Sequence, residues 1–170
     1  MSGDRTFHLP GGDLATIRHT ARDTDGALFE FEAVLAPGRS GPPAHLHVGQ
    51  EESFTVVEGL LRVRSGWNWS EFGAGETVTV PSGTVHTFAN RSDKPVRMVV
   101  RMTPALAFEQ MLRIQGESRV PPILRIASLN HGPDTSFFLS GLPLPVQRRM
   151  WNALARIARL TGRTEIPANR

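Results

Sequence analysis

The sequence of 170 residues contains no cysteine and no tyrosine, and Lys94 is its single lysine. Without cysteine the chain has no disulfide framework, no thiolate zinc site, no iron–sulfur ligation and no cysteine nucleophile. Any metal ion must therefore be bound by histidine and carboxylate side chains. Long apolar runs are also lacking, because Arg, Gly or Pro interrupts them well before the ~18 residues that a transmembrane helix needs.

The N-terminal segment, residues 1–13, lacks the apolar stretch of a secretory signal and instead carries Asp4, Arg5 and His8. We therefore expect a cytoplasmic protein. Hydrophobic residues make up 39% of the chain and charged residues 21%, which is typical of one globular domain with a sizeable core.

The formal net charge is only +3. The pI of about 10.8 overstates the basicity, because few groups titrate between histidine and arginine. The positive charge is concentrated in residues 143–170, which hold six Arg and one Glu. A charge balance of this kind does not favour nucleic-acid binding, and no nucleic-acid partner is expected.

Short strand-like runs separated by Gly, Pro, Asp and Ser follow one another up to about Thr103. These runs are Leu14–Thr20, Ala27–Leu35, Glu52–Glu58, Leu60–Arg64, Glu76–Val80, Thr84–Ala89 and Val96–Thr103. Strands at this spacing predict an all-β fold, a small antiparallel barrel or jelly roll.

Beyond Pro104 the spacing becomes helical, at Ala105–Glu117, at Ile123–Leu129 and after Pro143. We divide the chain into an N-terminal strand or arm (1–26), a β-barrel core (27–104) and a C-terminal helical extension (105–170).

Two segments carry the residues with chemical potential. In the first, His45 and His47 are two apart on an extended segment, so both imidazoles point to one face. Glu51 and Glu52 follow closely. The second segment places His86 on a strand after a turn. Three histidines and one carboxylate suit a divalent first-row metal with two positions left open.

The second segment runs from Gly75 through Pro81, Gly83 and His86 to Asn90, and it matches the signature G(X)5PXG(X)2H(X)3N at every position. The chain thus resembles a single-domain cupin. The first signature, G(X)5HXH(X)3-4E(X)6G, is matched except at its opening glycine, where this chain has Arg39 between Gly38 and Gly41. The resemblance covers about residues 27–103.

The resemblance implies a cupin jelly-roll β-barrel and a metal bound by His45, His47, Glu52 and His86. Both adjacent glutamates satisfy the permitted spacing, but counting back six residues from Gly59 selects Glu52 over Glu51. Glu52 is also the predicted catalytic residue. It would serve as a ligand only, or as ligand and base combined, as in cupin dioxygenases that resemble quercetinases.

Other conspicuous residues have plainer interpretations. His8, His19 and His131 match no motif and are interpreted as surface or packing residues. Trp67 and Trp69 indicate packing or an exposed loop. Several apolar side chains either line a cavity or fill the core: Phe54, Phe88, Met98, Val100 and Met102.

Residues 143–163 predict an amphipathic helix with Arg148, Arg149, Arg156, Arg159 and Arg163 within one arc. The apolar side comprises Val146, Met150, Trp151, Leu154, Ile157 and Ala158. We expect this side to pack on the barrel or across a dimer. An anionic membrane surface is the less favoured alternative.

Taken together, these observations favour a metal-dependent enzyme of oxygenase type that acts on a small organic molecule. One divalent transition metal, Fe, Mn, Ni or Zn, is the expected cofactor, and a homodimer is expected. The alternative is a non-catalytic cupin that binds or senses a small molecule. Isomerase or decarboxylase chemistry also stays open on this scaffold, because a fold does not define a reaction.

Overall fold

The computed structural model describes residues 6–9, 11–116, 123–132 and 136–164. Two antiparallel sheets enclose the core, and helices follow them in the C-terminal part. The strands are β1 (Thr6–His8), β2 (Leu14–His19), β3 (Phe29–Leu35), β4 (His45–His47), β5 (Glu51–Glu58), β6 (Leu61–Ser65), β7 (Asn68–Phe72), β8 (Thr77–Val80), β9 (His86–Ala89), β10 (Val96–Thr103) and β11 (Phe137–Leu139).

The first sheet has the strand order β1-β2-β3-β10-β5-β8, and the second has the order β11-β4-β9-β6-β7. All neighbouring pairs are antiparallel. Apart from the hairpin of β6 and β7, successive strands from β3 to β10 alternate between the two sheets, which is the arrangement of a jelly roll. The all-β jelly-roll prediction with C-terminal helices is confirmed.

Strand β10 shows how the sequence builds the core. Met98, Val100 and Met102 are buried, and the register pairs Val100 with core residues of both neighbouring strands. Arg101 lies on the opposite face, where its Nε is 2.6 Å from a carboxylate oxygen of Glu30 on β3. The period-2 alternation of apolar and charged residues therefore sets which face is inside.

Four strands are absent from the predicted strand runs: β1, β4, β7 and β11, although the segment of β4 is expected to be extended. Three of them are only three residues long, too short to show an alternating pattern. The fourth, β7, is largely exposed and polar. The division into an arm, a core and an extension stays a prediction. Its two ends, residues 1–5 and 165–170, lie outside the described residues.

The helices are α1 (Phe108–Gly116), α2 (Ile123–Leu129) and α3 (Leu144–Leu160), and a short 3-10 helix spans Arg22–Thr24. The prediction for α2 is confirmed at both ends. Helix α1 begins three residues later than predicted, and its predicted end at Glu117 lies outside the described residues.

Helix α3 is present, but the predicted buried face is wrong in part. Its buried residues are Gln147, Trp151, Ala155 and Ala158, whereas Ile157 is 46% and Val146 53% exposed. The buried face of α3 is rotated relative to the predicted one. A hydrogen-bonding glutamine and two small alanines, rather than the larger aliphatic residues, pack against the rest of the protein. No helix among the residues described here is long and apolar enough to span a membrane.

Candidate metal centre

The four residues singled out by the sequence come together between the two sheets. His45 and His47 lie on β4, His86 lies on the adjacent β9 directly opposite His45, and Glu52 lies on β5 of the other sheet. One potential ligand atom from each residue falls within 4.8 Å of all the others. All four side chains are buried, with at most 4% exposure.

Strand alternation explains which side chains face the cluster. His45 and His47 are two residues apart on one strand, so both imidazoles lie on the same face. Glu52 begins an inward series with Phe54 and Val56, whereas Glu51 is exposed on the other face. The structure thus places Glu52, and not Glu51, beside the histidines.

Backbone carbonyls orient two of the imidazoles. His45 Nδ1 is 2.9 Å from the Pro43 oxygen and His86 Nδ1 is 3.0 Å from the Thr84 oxygen. A ring nitrogen donates in each contact, because a carbonyl only accepts. When these rings are neutral, their Nε2 lone pairs are therefore directed away from the carbonyls and are available to a cation, as at metal sites whose ligands are oriented by outer hydrogen bonds.

The remaining contacts are centred on the carboxylate of Glu52. Its Oε2 is 2.7 Å from His86 Nε2 and 3.4 Å from His47 Nε2. The His86 contact needs a proton between the two atoms, in the position that a cation would take. Both ring nitrogens of His47 are buried without a hydrogen-bond partner. A buried orphan imidazole beside a carboxylate fits a metal ligand, since such atoms are otherwise costly.

The electrostatics also fit a cation. Burial and the charge of neighbouring His86 lower the pKa of His45 to about 4, so this ring is neutral at pH 7. Burial by itself would raise the pKa of Glu52, but the close contacts with His47 and His86 outweigh it and lower this pKa to about 2. Burial opposes a charge on His86, yet its contact with Glu52 raises the pKa of His86. The potential metal ligands are thus one anionic carboxylate and the imidazoles around it.

Other residues of the two motif segments hold β4 and β9 in place. Gly83, with φ +79°, donates its N–H to the His47 carbonyl at 2.8 Å, and Gly49 donates to Ser82 Oγ at 2.8 Å. Asn90 Nδ2 donates to the backbone carbonyls of Leu35, Ala36 and Lys94. The second signature is therefore largely a set of turns around β4 and β9.

The first signature departs from its pattern at Arg39, and the structure shows which glycine this turn requires. Gly41 donates its N–H to the Phe88 carbonyl at 2.9 Å. A Cβ at Gly41 would lie 2.6 Å from that oxygen, too close for any other residue. The close approach before His45 thus depends on Gly41, two residues after the usual position.

Two aromatic rings beside the cluster are absent from the sequence prediction. Phe137 on β11 has its ring centroid 5.1 Å from that of His45 and 5.8 Å from that of His47. Phe108, at the start of α1, lies 5.6 Å from His47. Neither phenylalanine belongs to a motif, so only the tertiary structure shows that they adjoin the site.

The other candidates lie elsewhere. His8 and His19 are exposed, and His131 Nε2 is 3.3 Å from Arg159. Trp67 is 94% exposed in the turn before β7, and Trp69 lies on that strand beneath the guanidinium of Arg62. The proposed cavity residues pack within or against the hydrophobic core: Phe54, Phe88, Met98, Val100 and Met102.

Comparisons with known proteins agree with this architecture. The family described as "Cupin domain" matches residues 31–102, which include all four clustered residues. The quercetin 2,3-dioxygenase of Bacillus subtilis is 30% identical over 95 residues, which make up 55% of this chain and 27% of that protein. A Hypocrea virens protein named "Probable oxidoreductase virH" is 29% identical over 93 residues, 44% of this chain and 42% of the relative. The chain thus spans less than half the length of either relative.

A solved structure of a cupin 2 conserved barrel domain protein from Salinispora arenicola shares the fold. The two chains are 24% identical, with a TM-score of 0.51, and the match covers 62% of this chain and 87% of the other. The family match, the shared fold and the second signature point the same way. Residues 31–102 of this chain thus match the cupin domain family.

Proposed function

We propose that this cupin holds one divalent transition metal, Fe, Mn, Ni or Zn, and that with a redox-active one of these it is an oxygenase-type enzyme that acts on a small organic molecule. His45, His47, Glu52 and His86 would be the ligands. The observation that carries the proposal is the buried cluster itself, in which His47 has two ring nitrogens without hydrogen-bond partners beside an anionic carboxylate. The quercetin dioxygenase relative supports the reaction class.

A bound metal would supply Lewis-acid or redox chemistry at the coordination positions that the four side chains leave open. The chain's own residues set the conditions for it. The Pro43 and Thr84 carbonyls fix the orientation of the His45 and His86 rings. Burial of the cluster between the sheets keeps bulk water away from the reacting atoms.

Glu52 is the proposed catalytic residue as well as a ligand. Its low pKa keeps the carboxylate ionised at neutral pH, so Oε2 is able to accept a proton from a substrate hydroxyl. A carboxylate that is held beside a cation is a weak base, so this step requires Glu52 to loosen from its neighbours first.

Incorporation of oxygen from ¹⁸O₂ into a product tests this proposal. Protein loaded separately with Fe(II), Mn(II), Ni(II) and Zn(II) is mixed with phenolic and enolic compounds, including quercetin, and uptake of ¹⁸O into the product is measured. We expect uptake with at least one redox-active metal and none with Zn(II), which has no redox chemistry. Glu52→Gln at saturating metal should lower the rate at least about tenfold. Absence of uptake with every metal would contradict the proposal.

A non-catalytic sensing role is the second candidate, and one observation favours it. Helix α3 exposes Val146, Ile157 and Leu160 to solvent, which offers a surface for a partner. Tight binding of a small molecule without any turnover, together with loss of partner binding in Ile157→Asp, would favour sensing.

We also propose a homodimer, since the edge strands β1, β7 and β8 have backbone groups open to pairing.

A further inference from the structure

We infer that Phe108 and Phe137 form an aromatic wall that selects an uncharged aromatic ring in the substrate, next to the metal site. Both residues lie outside the segment matched by the family, residues 31–102. This inference rests on the proposed function, because it names the substrate class for that same site.

The register of β11 places Phe137 on the ligand face of β4. In this antiparallel pair Phe137 is directly opposite His47, and Leu139 is opposite His45. Cross-strand partners share a face of the sheet. Phe138 is opposite Leu46 and therefore lies on the other face, where the Arg148 guanidinium covers its ring.

Phe108 approaches His47 from a different element. Its ring is 5.6 Å from His47 at an interplanar angle of 71°, an edge-to-face contact. It also stacks on Phe31, at 6.0 Å and 20°. Phe108 of helix α1 thus contacts both a core phenylalanine and an imidazole of the cluster.

The two rings are only partly buried, whereas the imidazoles beside them are almost fully buried. The two rings of the aromatic wall are therefore more exposed to solvent than the cluster that they adjoin. A molecule that reaches an open coordination position from this side passes along the faces or edges of these rings, which favour a flat apolar group.

The wall is held firmly. Asn130, at the end of α2, is 1% exposed, and its Oδ1 accepts the N–H groups of Ser136 and Phe137 at 3.0 Å. Its Nδ2 donates to the Phe137 carbonyl at 2.8 Å. Because both backbone groups of Phe137 are bonded to one buried side chain, the position of this ring is set by the fold rather than by the ligand.

The charges near the site disfavour an anionic group on the substrate beyond the one that binds the metal. Among the buried residues in the described part of the chain there is no lysine and no arginine. Away from the metal itself, a carboxylate or phosphate on the substrate would thus have no lysine or arginine to pair with at this depth, and burial without a partner is costly. An uncharged ring that carries an oxygen donor for the metal meets both conditions.

Two probes with one metal-binding group test the inference. Benzohydroxamic acid and acetohydroxamic acid differ in a phenyl ring against a methyl group. Each is titrated calorimetrically into Zn(II)-loaded protein, in which no oxygenation occurs. We expect the wild type to bind benzohydroxamic acid at least about tenfold more tightly than acetohydroxamic acid. A difference of this size corresponds to roughly one aromatic contact together with the apolar area that it buries.

The variants Phe137→Leu and Phe138→Leu make the same change on opposite faces of one strand. Phe137→Leu should reduce the preference for the phenyl probe to about twofold, and Phe138→Leu should leave it unchanged. Phe108→Leu is a second variant on an independent element and should also reduce the preference.

Equal binding of the two probes by the wild type, or a preference that survives both Phe137→Leu and Phe108→Leu, would overturn the inference. Zn(II) binding without binding of either probe would overturn it too, while the metal site would stand. A protein that binds no Zn(II) would overturn the metal centre itself and the inference with it.

Discussion

The side-chain amide of Gln147 pairs with the backbone of Leu139 as a neighbouring strand would. Gln147 Oε1 accepts the Leu139 N–H at 2.8 Å, and Nε2 donates to the Leu139 and Leu142 carbonyls, also at 2.8 Å. Strand β11 is an edge strand of the second sheet. The fully buried Gln147 thus substitutes for a further strand and ties helix α3 to the strand that pairs with β4, which carries His45 and His47.

Replacing this glutamine should destabilise the protein. Gln147→Leu takes their side-chain partner from the partly buried N–H and carbonyl of Leu139, and each unpaired buried group costs about 1–3 kcal/mol. We expect the free energy of unfolding to fall by about 2–4 kcal/mol in urea denaturation. The matched control is Gln115→Leu on the exposed side of α1, which should change it by less than about 0.5 kcal/mol. Equal effects would contradict the role of Gln147.

Helix α3 itself should be docked through Trp151. This side chain is 2% exposed, so Trp151→Ala should lower the free energy of unfolding by about 3–5 kcal/mol. Ile157→Ala, on the half-exposed face of the same helix, should lower it by less than about 1 kcal/mol. Thermal denaturation of both variants decides the point, and an unchanged melting temperature in Trp151→Ala would mean that the helix is not docked.

The sequence indicated the jelly roll because alternation in long strands such as β3, β5 and β10 is a local property. It also indicated Glu52 over Glu51, because strand alternation and the spacing to Gly59 agree. The buried face of α3 was predicted only in part. Gln147 is polar, and a hydrophobic pattern cannot register a residue that is buried for its hydrogen bonds.

The aromatic neighbours of the site were beyond sequence reasoning for a related reason. Phe137 lies 90 residues after His47, yet the two are directly opposite in the sheet. Nothing in a three-residue strand fixes its partner or its register, since those depend on Asn130 and Gln147 from two separate helical regions.

The choice of carboxylate is directly testable. Glu52→Gln removes the anionic ligand at nearly constant volume and should weaken binding of a divalent metal by about tenfold or more. Glu51→Gln, on the exposed face of the same strand, should leave the affinity unchanged. A competitive titration against a chromophoric chelator measures both, and the reverse order would show that the strand register is wrong.

Metal should also stabilise the fold. A ligand that binds only the native state adds about 2.7 kcal/mol at a concentration of one hundred times its Kd. Zn(II) should therefore raise the melting temperature of the wild type but not that of His47→Ala. His131→Ala, which removes a histidine outside the cluster, should retain the shift. A shift that persists in His47→Ala would point to a different binding site.

The proposed homodimer is tested by the mass of the protein in solution. Light scattering at micromolar concentration should give about twice the chain mass of 18.7 kDa. The variant Ser70→Pro on β7 tests which edge strand forms the dimer, because proline removes a backbone donor. It should weaken a dimer that pairs through β7 and leave a dimer that pairs through another edge strand unchanged. A monomer mass for the wild type would refute the dimer.

His45, His47, Glu52 and His86 should together hold one metal ion. Elemental analysis of protein grown and purified with added metal and without chelator, combined with anomalous difference maps of its crystals, measures this directly. We predict one divalent ion per chain and one anomalous peak between the Nε2 atoms of the histidines and the Glu52 carboxylate. A metal content near zero, or a peak elsewhere in the protein, would contradict the account.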